Sequence, residues 1–522
     1  MDQVEIILVA LLVSVAVLSA AARAIDVPYP IVLVVGGVVL GLIPGLPDVR
    51  LDPGLVLLIF LPPLLYSSAF FANLRDLRAD LRPISLLSIG LVLATMVVVA
   101  VIAHAFIDEL SWPACFTLGA IVAPTDPVAA TEIARRLGVP RRLVSVIEGE
   151  SLVNDATALV AYKIAIGAAG GAAFSLLDAG WDFVWKASGG VAVGLAVGSV
   201  IAEIRRRLDD PLIENTIGLL TAYAAYVPAD RLGVSAVLAA VTVGCYVGWQ
   251  APLIASPATR LQGFGMWELL QFLLNAFLFV LIGLQLSDIV GALDRFSAGT
   301  LLGYAAAISG AVIVARLVWQ HTIVWVIRAI DRRPVQRERR VGWRIRTVIA
   351  WSGMRGAVSL AAALALAPGF EQRDLLVFLT FSVILATLVL QGLTLPWLIR
   401  AFGVHDDGRE EHEELKGRLR ATKAALARID ELEGAEWTRD DTIERMRGAY
   451  RYRKRRLAAR AGMADDDEGY EDRSTAYQTL VREVLEAQRS EIVRLRNEGA
   501  ISNDVMHRLE RELDLEDQRL EI

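Results

Sequence analysis

Long apolar stretches, each ended by charge, proline or glycine, recur along the first four-fifths of this chain, and then the pattern stops. They fall at about residues 5–22, 29–46, 51–69, 83–107, 112–134, 141–167, 184–204, 212–229, 232–250, 267–290, 298–329, 345–367 and 373–401. A helix needs roughly 20 apolar residues to cross the hydrocarbon core, so the pattern predicts an all-α polytopic membrane protein with about 13 transmembrane helices. The eighth and ninth stretches are parted only by Pro228-Ala229-Asp230-Arg231. Pro62-Pro63, Gly36-Gly37 and Gly189-Gly190 lie in or beside spans, where neighbouring helices can satisfy freed backbone groups. After residue 402 the apolar residues thin out through 413–432, 436–461 and 474–517, which predicts a polar, helical tail.

Charge divides the chain at the same place. Residues 403–522 hold 23 Lys/Arg and 30 Asp/Glu, against 29 and 28 in the first 402. The net charge of −6 therefore averages two environments and says little about partners, whereas 55% hydrophobic residues and a mean hydropathy of +0.49 exclude an ordinary soluble protein. The expected domains are 1–402 in the membrane and 403–522 in the cytosol. Across the expected spans, one set of connections carries 20 Arg and the other only five basic residues, Arg50, Lys186, Arg231, Arg295 and Arg373. The positive-inside rule then places the N-terminus outside and the tail in the cytoplasm of a cell (inner or plasma) membrane. The run from Val4 has no basic leader and no clear cleavage site before Arg23, so it reads as a retained helix. Cys115 and Cys245 have neither metal nor disulfide-framework spacing.

Two spans are interrupted by polar chemistry. Ala123-Pro124-Thr125-Asp126-Pro127 sits near the middle of the fifth, and Trp351-Ser352-Gly353-Met354-Arg355-Gly356-Ala357 near the middle of the twelfth. Two prolines three apart remove backbone donors and clash with preceding carbonyls. Unwound backbone at that depth is tolerated only beside a protein-lined or wet cavity. If the span at 184–204 links repeats of about 5–167 and 212–401, each break falls in the fifth helix of its repeat. Matching interruptions in two halves are the sequence mark of an inverted-repeat transporter site.

Between the fifth and seventh spans lies Gly149-Glu150-Ser151-Leu152-Val153-Asn154-Asp155. Ionisable residues at membrane depth are costly and usually serve ion or substrate handling. Ser151 and Asp155 share one helix face, and Glu150 and Asn154 an adjacent one. A carboxylate deprived of water favours its proton, while a bound cation favours the charge, so the two compete for one group. Asp155 is the expected proton and cation carrier, and Na⁺ would take oxygens from Asp155, Ser151, Thr125 and Asp126. Asn154 is expected to tie its amide to the broken helix and orient Asp155. Arg316, in the eleventh span, needs a buried partner, and Glu150 is the natural one. Arg355 is expected either to neutralise the C-terminal dipoles of the broken helices or to pair with Asp126.

These residues resemble the monovalent cation:proton antiporter-1 family of bacterial and eukaryotic Na⁺/H⁺ exchangers. The resemblance covers residues 5–402 and rests on Phe60-Leu61-Pro62-Pro63-Leu64-Leu65, Pro124-Thr125-Asp126-Pro127, the 149–155 run and Gly353-Met354-Arg355-Gly356. It implies two broken, crossing helices, an ion-binding Asp155 flanked by Thr125, Asp126 and Ser151, and a Glu150–Arg316 salt bridge. Asn154 stands where electrogenic relatives have a second aspartate, which implies electroneutral exchange. The resemblance also implies a homodimer whose core domain moves past a dimerisation domain. Ser67 departs from the pattern, since many relatives have an acid there. The function read from all this is secondary antiport of Na⁺, then Li⁺, against H⁺. The alternatives are a K⁺/H⁺ antiporter and a cation channel. No cofactor, catalytic group or nucleic-acid partner is expected; the partners are the transported ions and membrane lipid. The tail's basic run, Arg451, Arg453, Lys454, Arg455 and Arg456, is read as a solvated helix face paired with acids such as Asp465-Asp466-Asp467-Glu468, anionic lipid being the alternative.

Overall fold

A computed structural model describes residues 3–43, 53–169, 176–285, 289, 291, 293, 295–330, 341–406, 408–461 and 470–520, and all regular structure among them is helical. Arg50, the arginines within 331–340, the acidic run 465–468 and parts of spans 2, 3 and 10 lie outside the described residues. The chain forms two compact units, Met1–Asp406 and Asp407–Ile522.

In the first unit the helices are α1 (Gln3–Ala24), α2 (Tyr29–Gly41), α3 (Pro53–Phe71), α4 (Leu74–Ala79), α5 (Leu81–Phe106), α6 (Trp112–Val122), α7 (Val128–Arg136) and α8 (Arg141–Ala169). They continue as α9 (Leu176–Arg206), α10 (Pro211–Arg231), α11 (Ala236–Ile254), α12 (Pro257–Leu284), α13 (Ala298–Ile330), α14 (Trp343–Trp351), α15 (Ala357–Leu364) and α16 (Arg373–Phe402). Among the described residues, seven helices are long and apolar enough to cross a membrane, and four shorter apolar helices accompany them. The fifth and twelfth stretches each appear as two helices, α6 with α7 and α14 with α15. Two boundaries differ from the hydropathy reading. α12 starts at Pro257 instead of 267, because Ser256 caps it and Pro257 opens it, although its first turns are too polar to register as a span. α9 likewise starts at Leu176 rather than 184.

A large apolar core joins buried side chains of α5, α6, α8, α13 and α16, among them Val99, Leu118, Ile147, Val312 and Leu379. A separate cluster centres on Tyr66 of α3 with Ala222, Ala225, Ala239, Val243 and Trp267 from α10, α11 and α12. α9 packs on α11, α11 on α3, and α2 on α12. α15 touches α3, α6, α12 and α16, so the second half of one broken helix lies where the two packing groups meet.

The second unit holds α17 (Arg409–Glu431), α18 (Asp440–Arg460), α19 (Tyr470–Asn497) and α20 (Asn503–Leu520). Its 474–517 stretch is two helices, since Gly499 adopts φ 74° and Ser502 accepts from the N–H of Val505 at the next helix start. Leu415, Leu419 and Leu457 make a small core, and Arg447 bridges to Asp430 at 2.9 Å and Glu433 at 2.6 Å.

Candidate cation site

The two unwound segments meet. The N–H of Asp126, between α6 and α7, donates to the carbonyl of Met354, between α14 and α15, at 2.8 Å. Both glycines of the second break sit where a side chain would not fit. A β-carbon on Gly356 would strike the Asp126 carboxylate, and one on Gly353 would strike the side chain of Arg316. The 351–357 sequence showed the glycines, but what they make room for comes from the first break and from α13.

α8 holds the polar run against this crossing. Ser151 Oγ donates to the Thr125 carbonyl at 3.0 Å, and Asn154 Nδ2 donates to Thr125 Oγ1 at 2.6 Å. Thr125 Oγ1 in turn donates to Glu150 Oε1 at 3.2 Å. The Thr125 hydroxyl is therefore engaged both as donor and as acceptor, while its carbonyl, which accepts from Ser151, keeps a second lone pair. Asn154 joins the broken helix through its amide, and its Oδ1 finds no partner among the described residues. Arg316 Nη2 meets Glu150 Oε2 at 2.8 Å, and a second, short contact joins Arg316 Nη1 to Glu150 Oε1. Arg316 also donates to the carbonyls of Ala350, at 3.0 Å, and Ile349, at 3.1 Å. Both side chains of the pair are 2% exposed, so the guanidinium locks α8 to α13 and to the end of α14.

Arg355 is placed differently from one of its two expectations. No ion pair joins it to Asp126 among the described residues; Nη1 donates instead to the Ala123 carbonyl, at the C-terminal end of α6, at 2.7 Å. A cation belongs there because the last carbonyls of a helix concentrate negative charge. Asp126 accepts from the Val128 N–H at 2.9 Å, capping α7 with its Oδ1.

Asp155 is the exception in this bonded network. It is 6% exposed and faces a cavity of about 650 Å³, yet its carboxylate meets no hydrogen-bond donor or ion-pair partner among the described residues. Thr125, Asp126 and Ser151 line the same cavity, whereas Asn154, Glu150, Arg316 and Arg355 stand behind it. Ser67 does not line it: that side chain is fully buried and donates to the Leu64 carbonyl, and Ser68 faces the cavity instead. The cavity also brings in groups that the sequence did not single out, chiefly Tyr29, Glu132, Glu268, Gln271, Asn275 and Ser359. The spacing of Glu268, Gln271 and Asn275 in an apolar run was the available signal. Among the described residues, no group of three or more His, Cys, Asp or Glu is arranged to hold a resident metal.

Residues 7–401 match the family described as Sodium/hydrogen exchanger, transmembrane. This chain belongs to that family. A Na⁺/H⁺ exchanger of Mycobacterium tuberculosis is 36% identical over 99% of this chain and 96% of its own length. The Na⁺/H⁺ antiporter ApNhaP of Aphanothece halophytica is 34% identical over 78% of this chain and 76% of its own. In fold, the chain is similar to the sodium/proton antiporter MjNhaP1 of Methanocaldococcus jannaschii, with a TM-score of 0.59 at 18% identity, over 76% of this chain and 98% of that one. The exchanger is thus a multi-pass membrane protein and a secondary active antiporter of Na⁺ and H⁺, a transporter and not an enzyme.

Proposed function

We propose that the exchanger binds one Na⁺ or one H⁺ at Asp155, in alternation, and so exchanges them electroneutrally. The carrying observation is the free, buried carboxylate of Asp155 beside a network in which Thr125, Glu150, Ser151 and Arg316 are all hydrogen-bonded. Ser151 and the Thr125 carbonyl supply neutral oxygens next to it, Asp126 a second charge, and water the rest of a hard cation's shell. Charge counting supports the stoichiometry. The crossing carries three carboxylates, Asp126, Glu150 and Asp155, and two guanidiniums, Arg316 and Arg355. One proton or one monovalent cation brings the sum to zero, and either leaves the moving region with the same charge. An empty site carries an uncompensated charge, which a low-dielectric barrier opposes.

The reading includes an outside N-terminus, a cytoplasmic tail and a cavity open to the cytoplasm. Arg135 and Glu148 line that cavity, and Arg135 belongs to the Arg-rich set of connections. Leu278 of α12 and Ala361 of α15 pack with Phe60 and Leu64 of α3, an apolar seal that supports alternating access over a channel. Asp126, Thr125 and Ser151 complete the proposed ion site, with Glu150, Arg316, Asn154 and Arg355 as its frame. Thirteen spans arranged as inverted repeats and a homodimer belong to the same proposal. These oxygens do not discriminate Na⁺ from Li⁺ or K⁺ by type, so all three ions enter the test.

The test is transport by purified protein in liposomes, with internal pH and membrane potential followed together. An outward Na⁺ gradient should draw H⁺ inward with no net current, and Asp155→Asn should abolish the coupled flux in a folded protein. A current reversing at a potential set by unequal charges would refute the stoichiometry. Wild-type exchange by Asp155→Asn at saturating Na⁺, across about pH 6–9, would move the carrier to another carboxylate, first Asp126.

A further inference from the structure

The wall of the cavity built by α3 and α12 is uneven in chemistry. From α3 come Phe60, Leu61, Leu64, Leu65 and Phe71, with Ser68 as the polar exception. From α12 come Phe264, Phe272 and Leu278, and among them a polar stripe of Glu268, Gln271 and Asn275. At 100° per residue these three fall within roughly 60° of arc, and at 1.5 Å rise they span roughly 10 Å of the axis. None has an ion-pair or hydrogen-bond partner among the described residues, so their donors and acceptors serve whatever fills the cavity. Exposure falls along the helix: Glu268 is exposed, Gln271 and Asn275 are half-buried, and Leu278 is buried in the apolar seal. Glu148, another carboxylate on the lining, is paired with Arg135 at 2.7 Å. Glu268 therefore presents a charge that no arginine among the described residues neutralises.

We propose that this stripe on α12 is the cation's entry path: Glu268 captures the hydrated ion at the mouth, and the amides of Gln271 and Asn275 replace water lost on the way to Asp155. The assignment rests on Asp155 as the binding carboxylate. Amide oxygens suit a path because they coordinate a cation without holding it as tightly as a carboxylate. A conduit with a charge at every step would trap the ion that it must release. An apolar wall would instead force full dehydration before Asp155 was reached. Asn275, one turn before the seal, is the residue that should influence which cation arrives.

The experiment measures Na⁺, Li⁺ and K⁺ dependence of exchange with ion added on the cavity side, for wild type, Glu268→Gln, Glu268→Asp and Asn275→Ala. Glu268→Gln should raise the KM for all three ions about fivefold at low ionic strength, with maximal rate within about twofold of wild type. That difference should shrink to about twofold or less in impermeant salt near 0.5 M, and Glu268→Asp should restore most of it. Asn275→Ala should alter the ratio of Na⁺ to K⁺ KM values by about threefold. Unchanged KM values and selectivity, or a fall in maximal rate alone, would overturn the path. If Asp155→Asn is inactive while the stripe variants behave as wild type, the path alone fails. If Asp155→Asn transports normally while the KM effects persist, the Asp155 assignment alone fails.

Discussion

Glu150→Gln isolates the structural share of the polar network. The substitution keeps the shape and one acceptor oxygen at the position, so the Thr125 hydroxyl can still donate to it. It removes the charge opposite Arg316, and both side chains are 2% exposed. Removing one partner of a buried pair typically costs about 3–5 kcal/mol, mostly as the penalty of the stranded charge. The Arg316 donors to Ala350 and Ile349 survive, which argues for the low end, about 3 kcal/mol. Polar contacts between membrane helices average only about 0.6 kcal/mol, since the unfolded chain also finds partners in lipid. A cost near 3 would therefore mark the unpaired charge and not the lost hydrogen bond. Unfolding titrations in mixed micelles measure it, with Arg316→Met and the double variant Glu150→Gln/Arg316→Met closing a cycle. The double variant should recover most of the loss in stability. A single-variant cost below about 0.5 kcal/mol, or a double variant as unstable as the sum of the singles, would refute this account of the pair.

Gly356→Ala should cut exchange at least about tenfold, because its methyl occupies the place of the Asp126 carboxylate; exchange in liposomes alongside a thermal unfolding scan separates lost geometry from lost fold. Gly353→Ala should act mainly on stability, since it displaces Arg316. Asn154→Asp adds a fourth carboxylate to the crossing and removes the donor to Thr125, so exchange should become voltage-sensitive and the protein less stable; solid-supported-membrane currents read the first, and insensitivity to an imposed potential would contradict the charge count.

The exchanger's helices, its division near residue 403 and the polar residues that gather at the helix crossing were legible in the sequence because each follows from local chemistry. Twenty apolar residues must form a helix in lipid, two prolines three apart must break one, and charge at membrane depth must have a use. The same local reasoning placed Ser151 with Asp155 on one face and left Arg316 in want of an anion. It missed the start of α12, whose cap and first turns are polar, and it left the place of Arg355 open. Tertiary structure decided that Arg355 holds the end of α6, that Thr125 spends its hydroxyl on Glu150 and Asn154, and that Ser67 turns away from the cavity. It also turned Glu268, Gln271 and Asn275 toward the cavity. Spacing along a helix says which residues share a face, but which neighbour that face meets depends on helices more than a hundred residues away. Asp155 could be picked out from its place in the chain. That its buried carboxylate is left without a partner among the described residues is known only once every donor around it has been brought into place.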